Sequence, residues 1–91
     1  MVLILSLASI SAMKLSDLPR YASGTVSAVE AISVGDPIAR RLAELGFVPG
    51  ETVRLVALGP MGGDPILVQV GFTRFALRRS EADRVQLEVE A

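Results

Sequence analysis

Apolar and polar residues alternate most regularly near the end of the chain, over residues 84–90. Val85, Leu87 and Val89 interleave there with Gln86, Glu88 and Glu90, the period of two that marks a strand with one buried face. Residues 25–32 are rich in β-branched and small side chains, with Val26 and Ala28 on one face, and predict a strand. Over 52–59, Val53, Leu55 and Ala57 oppose Arg54, Val56 and Leu58. Apolar side chains thus occupy both faces, as in a central or doubly covered strand. Residues 65–71 predict the next strand, with Pro65 at its first position, where a missing N–H is tolerated. In 72–79, Phe75 and Leu77 alternate with Arg74, Ala76 and Arg78.

A helical period governs 33–46. Ile38, Leu42 and Leu45 fall at i, i+4 and i+7, one stripe facing a core. Asp36 suits the N-cap and Pro37 the first helical position, where its absent N–H costs nothing. Arg40 and Glu44 are four apart on the wet side. Gly46 supplies the left-handed residue that ends such helices, and Phe47 can fold back onto the last turn. The Pro49-Gly50 pair then predicts a type II turn, with glycine taking the positive dihedral. Residues 16–24 and 60–64 read as loops, the second carrying an exposed Met61, and 80–83 as one helical turn. The sum is a mostly β fold of five short strands, with one α-helix after the first. Short strands that must hide their edges tend to close into a small barrel.

Composition narrows the chemistry. A chain of 91 residues has room for one domain. Half of it is apolar but only Tyr21, Phe47, Phe72 and Phe75 are aromatic, so the core must be aliphatic. There is no Cys, hence no disulfide scaffold and no thiolate. There is no His, which removes the commonest general base and the commonest metal ligand together. A net charge of -1 leans against a dedicated nucleic-acid binder.

Residues 1–12 are apolar and uncharged. They are too few to span a bilayer, which takes about 20 residues, and no positive start precedes them as in a secretory signal. Met13-Lys14 looks like a more natural start, so 1–12 read as an extension upstream of a domain at 13–91. Three forms are open to it: an extra edge strand, a short helix whose face holds Leu3, Leu7 and Ile10, or a contact with a neighbouring copy in a homo-oligomer.

The stretches RRLAELGFVPGETVRLV, GDPILVQV and FALRRSEADRVQLEVE, in that order, resemble the FeoA family of ferrous iron transport accessory proteins. The likeness runs from about Met13 to Glu90. It implies an SH3-like β-barrel with a helix packed near its opening. It further implies a cytoplasmic protein that binds and modulates FeoB, a membrane Fe(II) permease whose cytosolic part is a GTPase domain. A relative in architecture is the C-terminal domain of iron-dependent repressors. That supplies the rival expectation of a regulatory or nucleic-acid-binding barrel.

No catalytic residue is expected, because Ser33 and Ser80 have no histidine to activate them. No metal ligand or cofactor site is expected either. Glu81 with Asp83, and Glu88 with Glu90, read as solvated faces. The glycine-rich 59–64 lacks the Lys and Ser/Thr of a phosphate loop. Arg40 and Arg41 on the helix, and Arg74, Arg78 and Arg79 near one strand, form the candidate contact with an acidic partner surface. No aromatic alternates with them on the outward face to stack bases, so nucleic acid is not the expected partner. Leu45, Phe47, Val48 and Met61 complete the candidate partner-binding set. Phe47 has two readings, an outward anchor or a cap folded into the core.

Overall fold

The structure, a computed structural model, describes residues 10–90. Strand β1 runs Ile10–Lys14 and leads into a single 3-10 turn, Leu15–Asp17. Strand β2 (Ser23–Val29), helix α1 (Pro37–Leu45), β3 (Thr52–Leu58), β4 (Ile66–Val70) and β5 (Thr73–Leu77) follow. A short helix α2 (Arg79–Ala82) then precedes β6 (Val85–Glu90). All strand pairs are antiparallel, in the order β1-β6-β2-β3-β4-β5.

Two expectations change. Among the described residues the sheet has six strands rather than five and does not close into a barrel: β1 and β5 are its two edges. The added strand comes from the apolar run. Ile10, Ser11 and Ala12 pair with Glu90, Val89 and Glu88, and Met13 and Lys14 continue the same ladder. Of the three forms open to residues 1–12, the edge strand is the one seen at Ile10–Ala12. Leu3 and Leu7 lie outside the described residues.

The open sheet still encloses one core because it bends. The register slips between Val26 and Ala28 in β2 and between Leu55 and Ala57 in β3. Each slip is a bulge, which kinks a strand and sharpens its twist. Alternate residues of five strands therefore converge: Val26, Val53, Leu55, Ile66, Val68, Leu77, Val85 and Leu87 are all buried in one cluster. Leu42 of α1 and Leu15 of the 3-10 turn close it from outside the sheet. Each such side chain contributes about 1.5–3 kcal/mol on burial. β1 contributes little to that core, since only Met13 packs against it.

Helix α1 begins at Pro37 behind an Asp36 cap, as expected. The cap does more than start the helix. Asp36 accepts from the Ile38 N–H through Oδ1 (3.0 Å) and from the Ile32 N–H through Oδ2 (3.1 Å), so 32–36 is a turn pinned to the helix start. The far end matches expectation. Gly46 has φ 116°, its N–H bonds to Ala43 O, and the Phe47 N–H reaches back to Leu42 O at 3.1 Å. That double bond pattern satisfies the last carbonyls of a helix. It also turns Phe47 inward, to 0% exposure, with its ring 5.8 Å from that of Phe75. The outward-anchor reading of Phe47 is therefore corrected. The turn after it closes as expected, with Gly50 at φ 94° and the Glu51 N–H on Val48 O.

Among the described residues one ion pair is buried. Arg84 Nε donates to Asp36 Oδ2 at 2.7 Å, with both side chains almost fully enclosed. Arg84 Nη1 also donates to Ser80 O at 2.7 Å. The Arg84 guanidinium, helped by the Ile32 and Ile38 amides, lowers the Asp36 carboxyl from the ordinary 3.8 to about 2. The bond's contribution is thus complete above 3.8 and is lost as the pH falls through about 2. The unfolding midpoints of wild type and Asp36→Asn should differ at neutral pH and converge as the solution is acidified across that window. Phe47→Ala should cost about 3–5 kcal/mol by denaturant titration. Val48→Ala, at a half-exposed position, should cost well under that.

Candidate partner-binding surface

Helix α1 lies so that its middle faces α2. Arg41 Nη2 meets Glu81 Oε2 at 3.1 Å, with Arg41 well exposed and Glu81 largely covered. The other carboxylate oxygen of Glu81 accepts from the Arg78 N–H at 2.9 Å. Glu81 therefore ties the helix to the start of α2 and leaves the Arg78 side chain beside Arg41.

Between these groups and the β3–β4 loop lies a cleft of about 570 Å³. It is lined by Arg41, Met61, Asp64, Pro65, Ala76, Arg78 and Glu81. Three of the expected residues, Arg41, Met61 and Arg78, meet there. A second, more apolar groove of about 210 Å³ runs over Leu58, Pro60, Leu67 and Ala76 and shares Pro65 and Ala76 with the cleft. Together they make one continuous surface: an apolar floor on the outer side of β3, β4 and β5, with arginines at one end.

The remaining candidates sit elsewhere. Arg74 is exposed on β5, where its Nε donates to Gln69 Oε1 at 3.1 Å. Arg40 is exposed on α1. Leu45 and Val48 are half-exposed at the opposite end of the helix, where Gly46 approaches Val70. Arg79, read from sequence as part of the arginine face, turns inward instead. Its Nη2 donates to Ser16 O at 2.5 Å, its Nη1 to Gly63 O at 3.3 Å, and its N–H to Asp64 Oδ1 at 3.1 Å. It pins the 3-10 turn and the β3–β4 loop to α2. Ser16 Oγ donates to Asp83 alongside it.

Sequence reasoning missed Leu58, Leu67 and Ala76 as floor residues and Phe72 as a fully exposed ring at the β4–β5 tip. A signal for Phe72 was present: only Gly71 and Phe72 separate the two strands, so Phe72 falls in a tight turn. The floor residues had no such signal, because their exposure depends on strand order.

The β3–β4 loop holds the cleft's outer wall through a narrow neck. A Cβ built on Gly59 would lie 2.4 Å from Pro65 O, so the backbones pass closer than any side chain allows. Among the described residues no group of three or more carboxylates gathers to hold a metal ion. No helix there is long and apolar enough to cross a membrane.

Residues 13–89 match the family model of the FeoA domain. No curated protein matches the chain. FeoA of Stenotrophomonas maltophilia, crystallised with zinc, is 63% identical over 82% of this chain and 88% of that one, with a TM-score of 0.78. It is described as a prokaryotic SH3-domain protein and a candidate ferrous iron transport activating factor. FeoA of Chlorobium tepidum is 33% identical over 87% of this chain and 71% of that one, with a TM-score of 0.73. IdeR of T. acidophilum aligns at 17% identity over 98% of this chain and 37% of that one, with a TM-score of 0.70. That last likeness is one of fold alone. The open six-stranded sheet is thus a form of the SH3-like fold.

Arg41→Ala should change stability by less than about 1 kcal/mol, as for other exposed ion pairs. Arg79→Met should cost about 1–3 kcal/mol, since it leaves the Ser16 and Gly63 carbonyls without their donor. Urea unfolding of the two variants separates the surface arginine from the structural one.

Proposed function

Because the chain belongs to the FeoA family, we propose that it is a cytoplasmic accessory factor that docks on the GTPase portion of a FeoB-type Fe(II) permease and modulates it. The observation that carries this reading is the 63% identity with a FeoA described as a candidate ferrous iron transport activating factor. The chemistry of the chain agrees with it. With neither His nor Cys, the protein has shape and charge to work with, and these favour action through contact. The surface for that contact is the cleft with Arg41, Met61 and Arg78 on its wall, extended by Arg40 and Arg74. Leu45 and Val48 lie at the other end of α1 and offer a second, smaller apolar contact. Two exposed arginines above an apolar floor fit an acidic protein surface, with the floor supplying area and the charges supplying orientation.

The regulatory or nucleic-acid-binding alternative gains nothing beyond shared fold, since the repressor likenesses lie at 17–22% identity. Two of the nine basic side chains, Arg79 and Arg84, are also spent inside the protein.

Titration against the permease's isolated cytosolic domain should give saturable binding, with Kd on the order of 1–10 μM. The Arg41→Glu/Arg78→Glu double variant should weaken it at least tenfold, with the steepest loss at low salt. The rate of GTP hydrolysis, read in the same samples, reports whether docking changes turnover. Absence of binding at about 100 μM for the wild type defeats the reading.

A further inference from the structure

We propose that the open edge of β5 is a strand-addition site for an extended protein segment that carries an apolar residue between two carboxylates at alternate positions. The sheet ends in β1 on one side and β5 on the other; β5 pairs with β4 and has no strand on its outer side among the described residues. β4 and β5 are joined by a two-residue turn, so Val70 and Thr73 are the closing pair. From a closing pair, hydrogen-bonded and non-bonded pairs alternate along the hairpin. Val68 with Phe75 and Ile66 with Leu77 therefore share the ladder bonds. The N–H and C=O of Arg74 and Ala76 point away from β4, and neither takes part in a turn or loop bond among the described residues. Unpaired groups of this kind are what an added strand engages.

The side chains beside that edge state what the added strand must carry. Arg74, Ala76 and Arg78 share the outer face, and all three are exposed. Ala76 sits opposite Leu67 and over the apolar groove floored by Leu58 and Pro65. The Arg78 guanidinium makes no side-chain bond among the described residues, and Arg74 has only its exposed contact with Gln69. A strand laid along this edge therefore presents alternate residues to a cation, a small apolar site and a cation. Directly opposed charges and apolar neighbours are the favourable cross-strand pairs. The main-chain donors and acceptors favour a polypeptide over a nucleic acid. The proposal rests on the accessory-factor reading for the source of the segment, and on this edge alone for its chemistry.

The test is an NMR titration of the full chain with a synthetic peptide of about nine residues, Glu-Val-Glu on alternate positions with Thr between. The expected result is saturable binding, with Kd on the order of 100 μM, and slowed amide exchange at Arg74 and Ala76. Replacing both peptide glutamates with lysine should weaken binding at least tenfold, and Arg74→Glu/Arg78→Glu should reverse that preference. Ala76→Pro removes an edge donor outside the β4–β5 ladder, so it should keep the folded spectrum and abolish binding. Unchanged exchange at Arg74 and Ala76, shifts confined to another face, or self-association of the chain through β5 would each overturn the proposal. If the permease domain binds and the peptide does not, strand addition falls and the accessory reading stands. If the peptide binds and the permease domain does not, the edge site stands and its source falls.

Discussion

The arrangement of this protein depends on the Asp36–Arg84 pair. It joins the start of α1 to the segment between α2 and β6, residues far apart in the chain. Asp36 is at once the helix cap, the anchor of the 32–36 turn and the counter-ion of a buried guanidinium. Arg84 in turn holds the Ser80 carbonyl, and its own carbonyl accepts from the Glu30 N–H. Removing two charges from water is costly, and attraction offsets that cost only where the geometry is good and the remaining valences are satisfied. Here they are satisfied, with no orphaned side-chain polar atom buried among the described residues. The pair therefore sets position: it holds α1 beside α2, so that Arg41 meets Glu81 and the two line one wall of the cleft that faces the β3–β4 loop.

A bent open sheet is the second constraint. Bulges in β2 and β3 let six strands wrap a core that a flat sheet could not enclose. Wrapping without closing leaves edges. On one side β1 serves almost solely as a cover, lending main-chain bonds to β6 while burying little of itself. On the other side a short strand flanked by arginines keeps its edge soluble.

Local signals were legible in the residues. The Asp36-Pro37 start, the Gly46 stop and the Pro49-Gly50 turn each need one backbone conformation that few residues supply, and each is present. Alternation located five strands to within two or three residues, because one face of each is buried. The sixth was legible only as one of three forms open to residues 1–12. A strand that only covers an edge has no buried face to alternate, and Ile10–Lys14 shows no such face. Charge was the least legible property. Arg74, Arg78, Arg79 and Arg84 look alike in sequence, yet two face water and two hold the interior together. Which is which depends on the Ser16 and Gly63 carbonyls and the Asp36 carboxylate, brought there by strand order rather than by neighbouring residues. The cleft has the same origin: its walls come from α1, α2, β5 and the β3–β4 loop.

The neck at Gly59 has a wider meaning for how such a surface can diversify. At the tip only Pro60 and Met61 carry side chains, both exposed, while Gly62 and Gly63 hold positive φ (69° and 83°) that other residues adopt only with strain. Position 59 cannot take a side chain, because even a methyl group would wedge β3 away from the Asp64–Pro65 backbone and splay the hairpin beneath the groove. The bore of the groove is therefore gauged by a hydrogen atom where other residues carry carbon. Changes at Pro60 and Met61 retune the rim, but loss of Gly59 requires the trough itself to be rebuilt.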